Sequence, residues 1–303
     1  MLFYERTLFM IARFFTTVIL IFTLLFRNAG TAPVKRADDI QLRAVLVSDI
    51  HTDADFSRDR NNLLRQSFSG IGSSYRNADT IVMAGDITNS GDRLEYVNLQ
   101  NFLDFYCRIN DRVPELGNHD SWNHSDDPDY QNARRYFINF CKRNGVKTDK
   151  VYYSKEVNGF PFIVLGVEDC DFKNPYHSDE QLEWFESELK KAVSGNKPVF
   201  VICHKPVDCL GNSEQRMGQI LAECSGIAET PIIYVSGHLH EIGENTFAMA
   251  NDKLIFLNLP SLLDTGDGGL GFIAEINEHN ITLTGMNFIE NKPLEDYIYN
   301  IEF

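Results

Sequence analysis

Short apolar runs alternate with amphipathic stretches along most of this chain. Residues 42–48 and 80–84 are compact apolar runs that read as buried strands. Residues 112–116 read as a third short strand, with Pro114 at a tolerated edge or entry position. Residues 198–203 and 232–236 read as two more. Helical spacing takes over between them. Residues 59–71 predict a helix with Leu63, Leu64 and Phe68 on one face, and residues 94–109 predict another, although Leu94, Val97, Phe102 and Phe105 fit its period only roughly. Residues 129–143 predict a helix that ends near Gly145. Asn158-Gly159, between apolar-rich residues 151–157 and 160–167, signals a tight hairpin. Ser178 caps a helix running to residue 193, with Glu180 and Gln181 in its first turn and Leu182, Phe185 and Leu189 on its core side. The tail, residues 244–303, is strand-rich and carries a glycine turn at 266–269. No repeat, linker or low-complexity segment interrupts this pattern, so residues 40–303 read as a single domain.

The N-terminus differs in kind. Arg6 and Arg13 precede an apolar run, residues 14–26, whose polar members are all threonines. Thirteen residues are short for a membrane span and suit the core of a secretory signal. Small residues follow at Ala29-Gly30-Thr31-Ala32, where a signal peptidase could cut. Residues 1–32 are therefore expected to be a signal peptide or a membrane anchor, and the domain exported or held at a membrane. A buried N-terminal helix is the remaining reading.

Composition narrows the partners. The 303 residues, 43% hydrophobic, are enough for one large core. Lys and Arg number 28 against 43 Asp and Glu, for a net charge of −15. Such a surface repels a phosphate backbone, so long nucleic acid is not an expected partner. A small anion stays admissible, because bound metal ions would dominate the local field. Six cysteines, at 107, 141, 170, 203, 209 and 224, show no CxxC spacing. Cys203 reads as a small buried filler, and a Cys203–Cys209 or Cys209–Cys224 bridge stays open.

The candidate chemistry lies where the apolar strands end. Asp49-Ile50-His51, Gly85-Asp86, Gly117-Asn118-His119-Asp120, Cys203-His204 and Gly237-His238-Leu239-His240 each follow such a run. In open α/β sheets, binding groups collect in the crevice at the carboxyl ends of strands. Carboxylate, amide and imidazole ligands in this mixture suit two borderline metal ions, an arrangement used to displace a group from phosphorus. Asp86 is the natural bridging ligand. Asp49, His51 and His240 would complete one site, and Asn118, His204 and His238 the second. His119, left without a metal, would protonate a leaving alkoxide, and Asp120 could orient it by accepting its other ring proton. His124, His177 and His279 read as ordinary core or surface residues, with a substrate contact conceivable for His124. Lys205 reads as solvated in preference to contacting phosphate.

These motifs resemble the calcineurin-like metallophosphoesterase superfamily at every ligand position, over residues 42 to about 275. Gln181-Leu182-Glu183-Trp184-Phe185 is similar to that family's mid-chain helix, and Asn258-Leu259-Pro260-Ser261-Leu262 to the segment after its last ligand pair. The resemblance implies a four-layer α/β/β/α sandwich of two mixed sheets flanked by helices. It also implies a binuclear Fe, Mn or Zn centre whose bridging hydroxide attacks phosphorus in line while His119 protonates the leaving group. Asp at position 120 resembles the cyclic-nucleotide phosphodiesterase-type branch more than the purple acid phosphatase branch. Cys203-His204-Lys205-Pro206 departs from the common His-His-Pro form while keeping the ligand. The expected substrate is a small phosphodiester. A phosphomonoesterase or nucleotidase with the same metals is the nearest alternative, and a non-catalytic metal-bound scaffold is a third.

Overall fold

The computed structural model describes residues 33–56, 58–121, 130–168, 177–264 and 266–303. Residues 1–32, with the expected signal or anchor, lie outside that set, as do His124 and Cys170. Among the described residues, no helix is long and apolar enough to cross a membrane.

The strands are β1 (Leu42–Val47), β2 (Thr80–Met83), β3 (Arg112–Pro114), β4 (Tyr153–Val157), β5 (Phe160–Val164), β6 (Val199–Ile202), β7 (Ile232–Ser236), β8 (Phe247–Asn251), β9 (Leu254–Asn258), β10 (Leu270–Ile276), β11 (Asn280–Asn287) and β12 (Lys292–Glu302). They form two six-stranded mixed sheets, ordered β12-β11-β10-β1-β2-β3 and β4-β5-β6-β7-β9-β8. β1, β2 and β3 are mutually parallel, as are β5, β6, β7 and β9. The helices are α1 (Asp59–Ser74), α2 (Arg93–Phe102), the single turn α3 (Asn118–Ser121), α4 (Tyr130–Arg143), α5 (Asp179–Val193) and α6 (Glu214–Ser225).

Period-two alternation decides which side each residue serves. In β6, Phe200 and Ile202 join the core shared with the first sheet, whereas Val199, Val201 and the following Cys203 pack with Leu182, Phe185 and Leu189 of α5 and Met217, Ile220 and Leu221 of α6. Phe162 of β5 stacks on Phe200 with ring centroids 4.6 Å apart. Leu64, Phe68 and Ile71 of α1, Leu99 and Phe102 of α2, and Phe137 and Phe140 of α4 belong to the same core as the first sheet. The layers are therefore α/β/β/α. Each fully buried Phe, Leu or Ile contributes about 1.5–3 kcal/mol.

Local signals set several boundaries. Asp92 caps α2 in a reciprocal box with Glu95. α2 stops at Phe102 and continues as a π-turn, Leu103–Cys107, which Arg108 closes in the left-handed region. The wider turn shifts the side-chain register, and that is why residues 94–109 fit one helical period poorly. Asn158 and Gly159 both have positive φ, 52° and 79°, and join β4 to β5 in a two-residue turn. Ser178 Oγ accepts the Gln181 N–H at 3.1 Å. Neither candidate disulfide is formed, since Cys203, Cys209 and Cys224 are all free thiols.

Candidate metal centre

The five motifs do sit at strand ends, but on two sheets instead of along one open sheet. Asp49 and His51 follow β1, Asp86 follows β2 and Asn118 follows β3 in the first sheet. His204 follows β6, and His238 and His240 follow β7, in the second. Short bonds tie the facing ends together. Asp49 Oδ2 accepts the His238 N–H at 3.0 Å, and Glu115 Oε1, past the end of β3, accepts the His204 N–H. Asp86 Oδ1 accepts the His119 N–H at 2.7 Å. Gly117 has no side chain because Asp86 lies against it, and an added Cβ would come within 2.3 Å of Asp86 Oδ1. Asp49, His51, Asp86, His238 and His240 all have positive φ, between 46° and 74°. Left-handed backbone at a non-glycine residue costs about 1–3 kcal/mol and persists where the surroundings over-determine it. Here the strain aims side chains from tight turns into one space.

The donor atoms of Asp49, His51, Asp86 and His240 lie within 4.8 Å of one another, and so do those of Asp86, His204 and His238. Asp86 belongs to both groups. Imidazole nitrogens converge: His51 Nε2 lies 3.1 Å from His240 Nε2, which lies 2.9 Å from Asp49 Oδ1. His204 Nε2 is 3.1 Å from Asp86 Oδ2. Asp49 Oδ1 and His204 Nε2 are buried, yet neither makes a well-directed hydrogen bond within the protein. Orphaned, converging N and O donors on a shared carboxylate fit two borderline ions. His204 Nδ1 donates to the Ala84 carbonyl at 2.9 Å, which leaves Nε2 as the ligating nitrogen. Asn118 begins α3, next to the His119 N–H that binds Asp86, and its Oδ1 is buried.

The four imidazoles of the two groups differ in charge. Burial lowers His51 to about 4, and burial reinforced by His204 lowers His238 to about 4. Both are neutral, ready ligands at pH 7. Burial would also lower His204, but Asp86 and Asp49 overcome it and raise this residue to about 10. The contact with Asp49 raises His240 as well. Burial is the largest influence on Asp86 and Asp49 and opposes their ionisation, but the surrounding histidines, His204 foremost and His240 with it at Asp49, together hold both below the usual carboxylate range. The positive charge on His204 thus occupies the role that metal charge would take.

His119 lies edge-on to His51, with ring centroids 4.7 Å apart, and its Nδ1 is 3.0 Å from the Asn89 carbonyl. Asp120 does not take the orienting role expected from the sequence. Its fully buried carboxylate accepts the N–H groups of Gly117, Ile87 and Thr88 and the Thr88 hydroxyl, at 2.8, 3.2, 2.7 and 2.6 Å. Asp120 pins the loop after β3 to the loop after β2, while the Asn89 carbonyl orients His119. His177 is buried with Nε2 3.8 Å from Cys203 Sγ, and burial lowers it to about 3. Lys205 is half-buried. The sequence reading did not single out Glu115 or Asn89, and it noted Ser261 only within a resembling segment. Ser261 Oγ donates to the Asp49 carbonyl at 2.9 Å. A charged Glu115 between the apolar Pro114 and Leu116 was the one local signal available.

A family model described as Calcineurin-like phosphoesterase matches residues 42–241, and the chain belongs to that family. A curated protein of Rhodococcus erythropolis, described as a probable cyclic nucleotide phosphodiesterase, is 26% identical over 201 residues. The match covers 63% of this chain and 60% of that relative's length. A dimetal phosphatase structure from Danio rerio superposes with a TM-score of 0.64 at 16% identity, covering 88% of this chain and all of that one. A purple acid phosphatase from yellow lupin seeds gives 0.58 at 13% identity, over 90% of this chain and 55% of its own. These two structures share the sandwich fold.

Proposed function

We propose that the chain hydrolyses small phosphodiesters at a two-metal centre. Asp49, His51, Asp86 and His240 would hold one ion, and Asp86, Asn118, His204 and His238 the other, with Fe, Mn or Zn as the candidate metals. The observation that carries this reading is the place of Asp86 in both donor groups. Two ions bound there would supply polarisation of a phosphoryl group and activation of water for attack on it.

The chain's own residues supply the rest. The Asp86 carboxylate is held from one side by the His119 N–H and approached from the other by His204. His119 Nδ1–H donates to the Asn89 carbonyl, so Nε2 is the nitrogen that holds the transferable proton. Placed edge-on to His51, that nitrogen serves as the acid for a leaving alkoxide. The description of the Rhodococcus relative supports a diester over a monoester.

Metal-loaded protein assayed on bis-p-nitrophenyl phosphate and on p-nitrophenyl phosphate tests the substrate class. Preference for the diester is expected. A marked preference for the monoester would replace this reading with a phosphomonoesterase or nucleotidase. Stoichiometric metal without hydrolysis of either would leave a metal-bound scaffold.

A further inference from the structure

Three strands deliver most of the donors for the second ion: Asp86 follows β2, Asn118 follows β3 and His204 follows β6. β2 and β3 belong to one sheet and β6 to the other. Backbone ladders join strands within a sheet, so ends that meet from different sheets need another tie. Glu115, the residue after β3, stands at that junction and is 1% exposed. Its N–H donates to the carbonyl of Met83, the last residue of β2, at 2.9 Å. Its Oε1 accepts the His204 N–H past the end of β6. The carbonyl of the next residue, Leu116, accepts the Val167 N–H at 3.2 Å, which adds a second tie between the sheets.

The His204 N–H has to find such an acceptor. The Ile202 carbonyl accepts the Leu165 N–H at 2.9 Å on the β5 side, and the Cys203 N–H donates to the Val235 carbonyl of β7 at 3.0 Å. Alternation turns the next N–H, that of His204, back towards β5, which ends at Val164. Beyond that end the Glu115 carboxyl takes it. Buried N–H groups without an acceptor are rare and costly in folded chains. The His204 ring is held at the same place, because Nδ1 donates to the Ala84 carbonyl at 2.9 Å, just past β2. Neither bond of Glu115 involves β1, which brings Asp49 and His51 to the first ion.

We propose that Glu115 is a positioning residue for the ion that Asn118, His204 and His238 would hold with Asp86, and that it acts by fixing the His204 main chain. It is not itself a donor in either group. The inference rests on the two-ion reading of the site. What Glu115 supplies is an acceptor at the right reach, not a charge. Glu115→Gln keeps an oxygen at that reach. Oε2, whose place the amide nitrogen takes, is buried and makes no hydrogen bond that would be lost. Glu115→Asp keeps the carboxylate but draws it back by one carbon, about 1.5 Å.

Full-length chain stripped of metal is titrated with Mn²⁺ by calorimetry, as the parent and as Glu115→Gln, Glu115→Asp and His238→Ala. His238→Ala removes a ligand of the second ion alone and so marks its binding event. Glu115→Asp is expected to weaken that same event by about 10–100-fold, the usual loss when the support behind a ligand is removed, and to leave the other event unchanged. Glu115→Gln is expected to bind both ions as the parent does. Parent-like binding by Glu115→Asp, equal weakening of both events, or a loss in Glu115→Gln as large as that in Glu115→Asp overturns the proposal. A parent chain that takes up fewer than two ions overturns the two-ion reading and this inference with it, whereas the other failures leave that reading standing.

Discussion

Replacing Gly117 with alanine puts a methyl carbon 2.2 Å from Asp86 N and 2.3 Å from Asp86 Oδ1. Neither neighbour is the loose end of a flexible chain. The amide belongs to a residue at positive φ, and the carboxylate is already held by the His119 N–H at 2.7 Å. Restoring ordinary contact needs a shift of about 1 Å, and a displacement of that size at a reacting centre costs about 10²-fold in rate. Ligand distances are held within about 0.2 Å, so the residue common to both donor groups cannot move that far and keep both ions. Overpacking a filled site adds about 1–3 kcal/mol of destabilisation, which a large domain survives. Gly117→Ala should therefore stay folded by circular dichroism, lose metal on dialysis as read by elemental analysis, and hydrolyse bis-p-nitrophenyl phosphate about 100-fold more slowly or worse. Asp86→Asn should show the same joint loss of metal and activity. Gly145→Ala is the control: φ is +80° but nothing lies within 4 Å of the added carbon, so it should be slightly destabilised and fully metallated. Gly117→Ala retaining two ions per chain and near-parent activity would refute the reasoning.

The remaining expectations concern proton transfer, pH and the fold. His119→Ala should keep both metals and slow esters with poor leaving groups by about 10²–10⁴, with less effect on nitrophenolate release; equal losses would remove it as the acid. His204 is raised to about 10, so its proton stabilises the metal-free fold below pH 6.5 and that contribution fades as pH climbs through 10. Metal must expel this proton, so affinity in a chelator competition should rise about tenfold per pH unit between pH 7 and 9, and a flat profile would count against it. His51 and His238 are lowered to about 4, and they make the metal-free protein less stable as pH falls from 6.5 towards 4 in denaturant melts. Ser178→Ala removes the cap on the Gln181 N–H and should cost about 1 kcal/mol, read as a drop in Tm of a few degrees with activity unchanged.

Much of the scaffold was legible because it rests on local rules. Short apolar runs located the strands that carry the ligands, Asn158-Gly159 announced a hairpin, and Ser178 marked a helix start. α6 escaped the sequence reading although Met217, Ile220, Leu221 and Cys224 are spaced for a helix, because the polar stretch around them blurs its ends. Asp120 and Glu115 were misjudged or missed for a different reason. The groups that define their roles, the Thr88 amide and the His204 amide, lie 32 and 89 residues away, and local pattern carries no information about such distances.

By itself the sequence determined the kinds of donor present, their order, and their place after apolar strands. That was enough to indicate a metal-dependent phosphoester hydrolase, since ligand chemistry depends on residue type. Tertiary structure decided how the donors divide. His51 and His240 are 189 residues apart and belong to different sheets, yet their nitrogens meet at 3.1 Å because two sheets pack face to face with ligand-bearing ends together. The same packing buries the carboxylates beside His204, and so sets which imidazoles are neutral and which carry a proton. Burial and proximity are properties of the fold, and they turned a row of motifs into one centre with Asp86 at its middle.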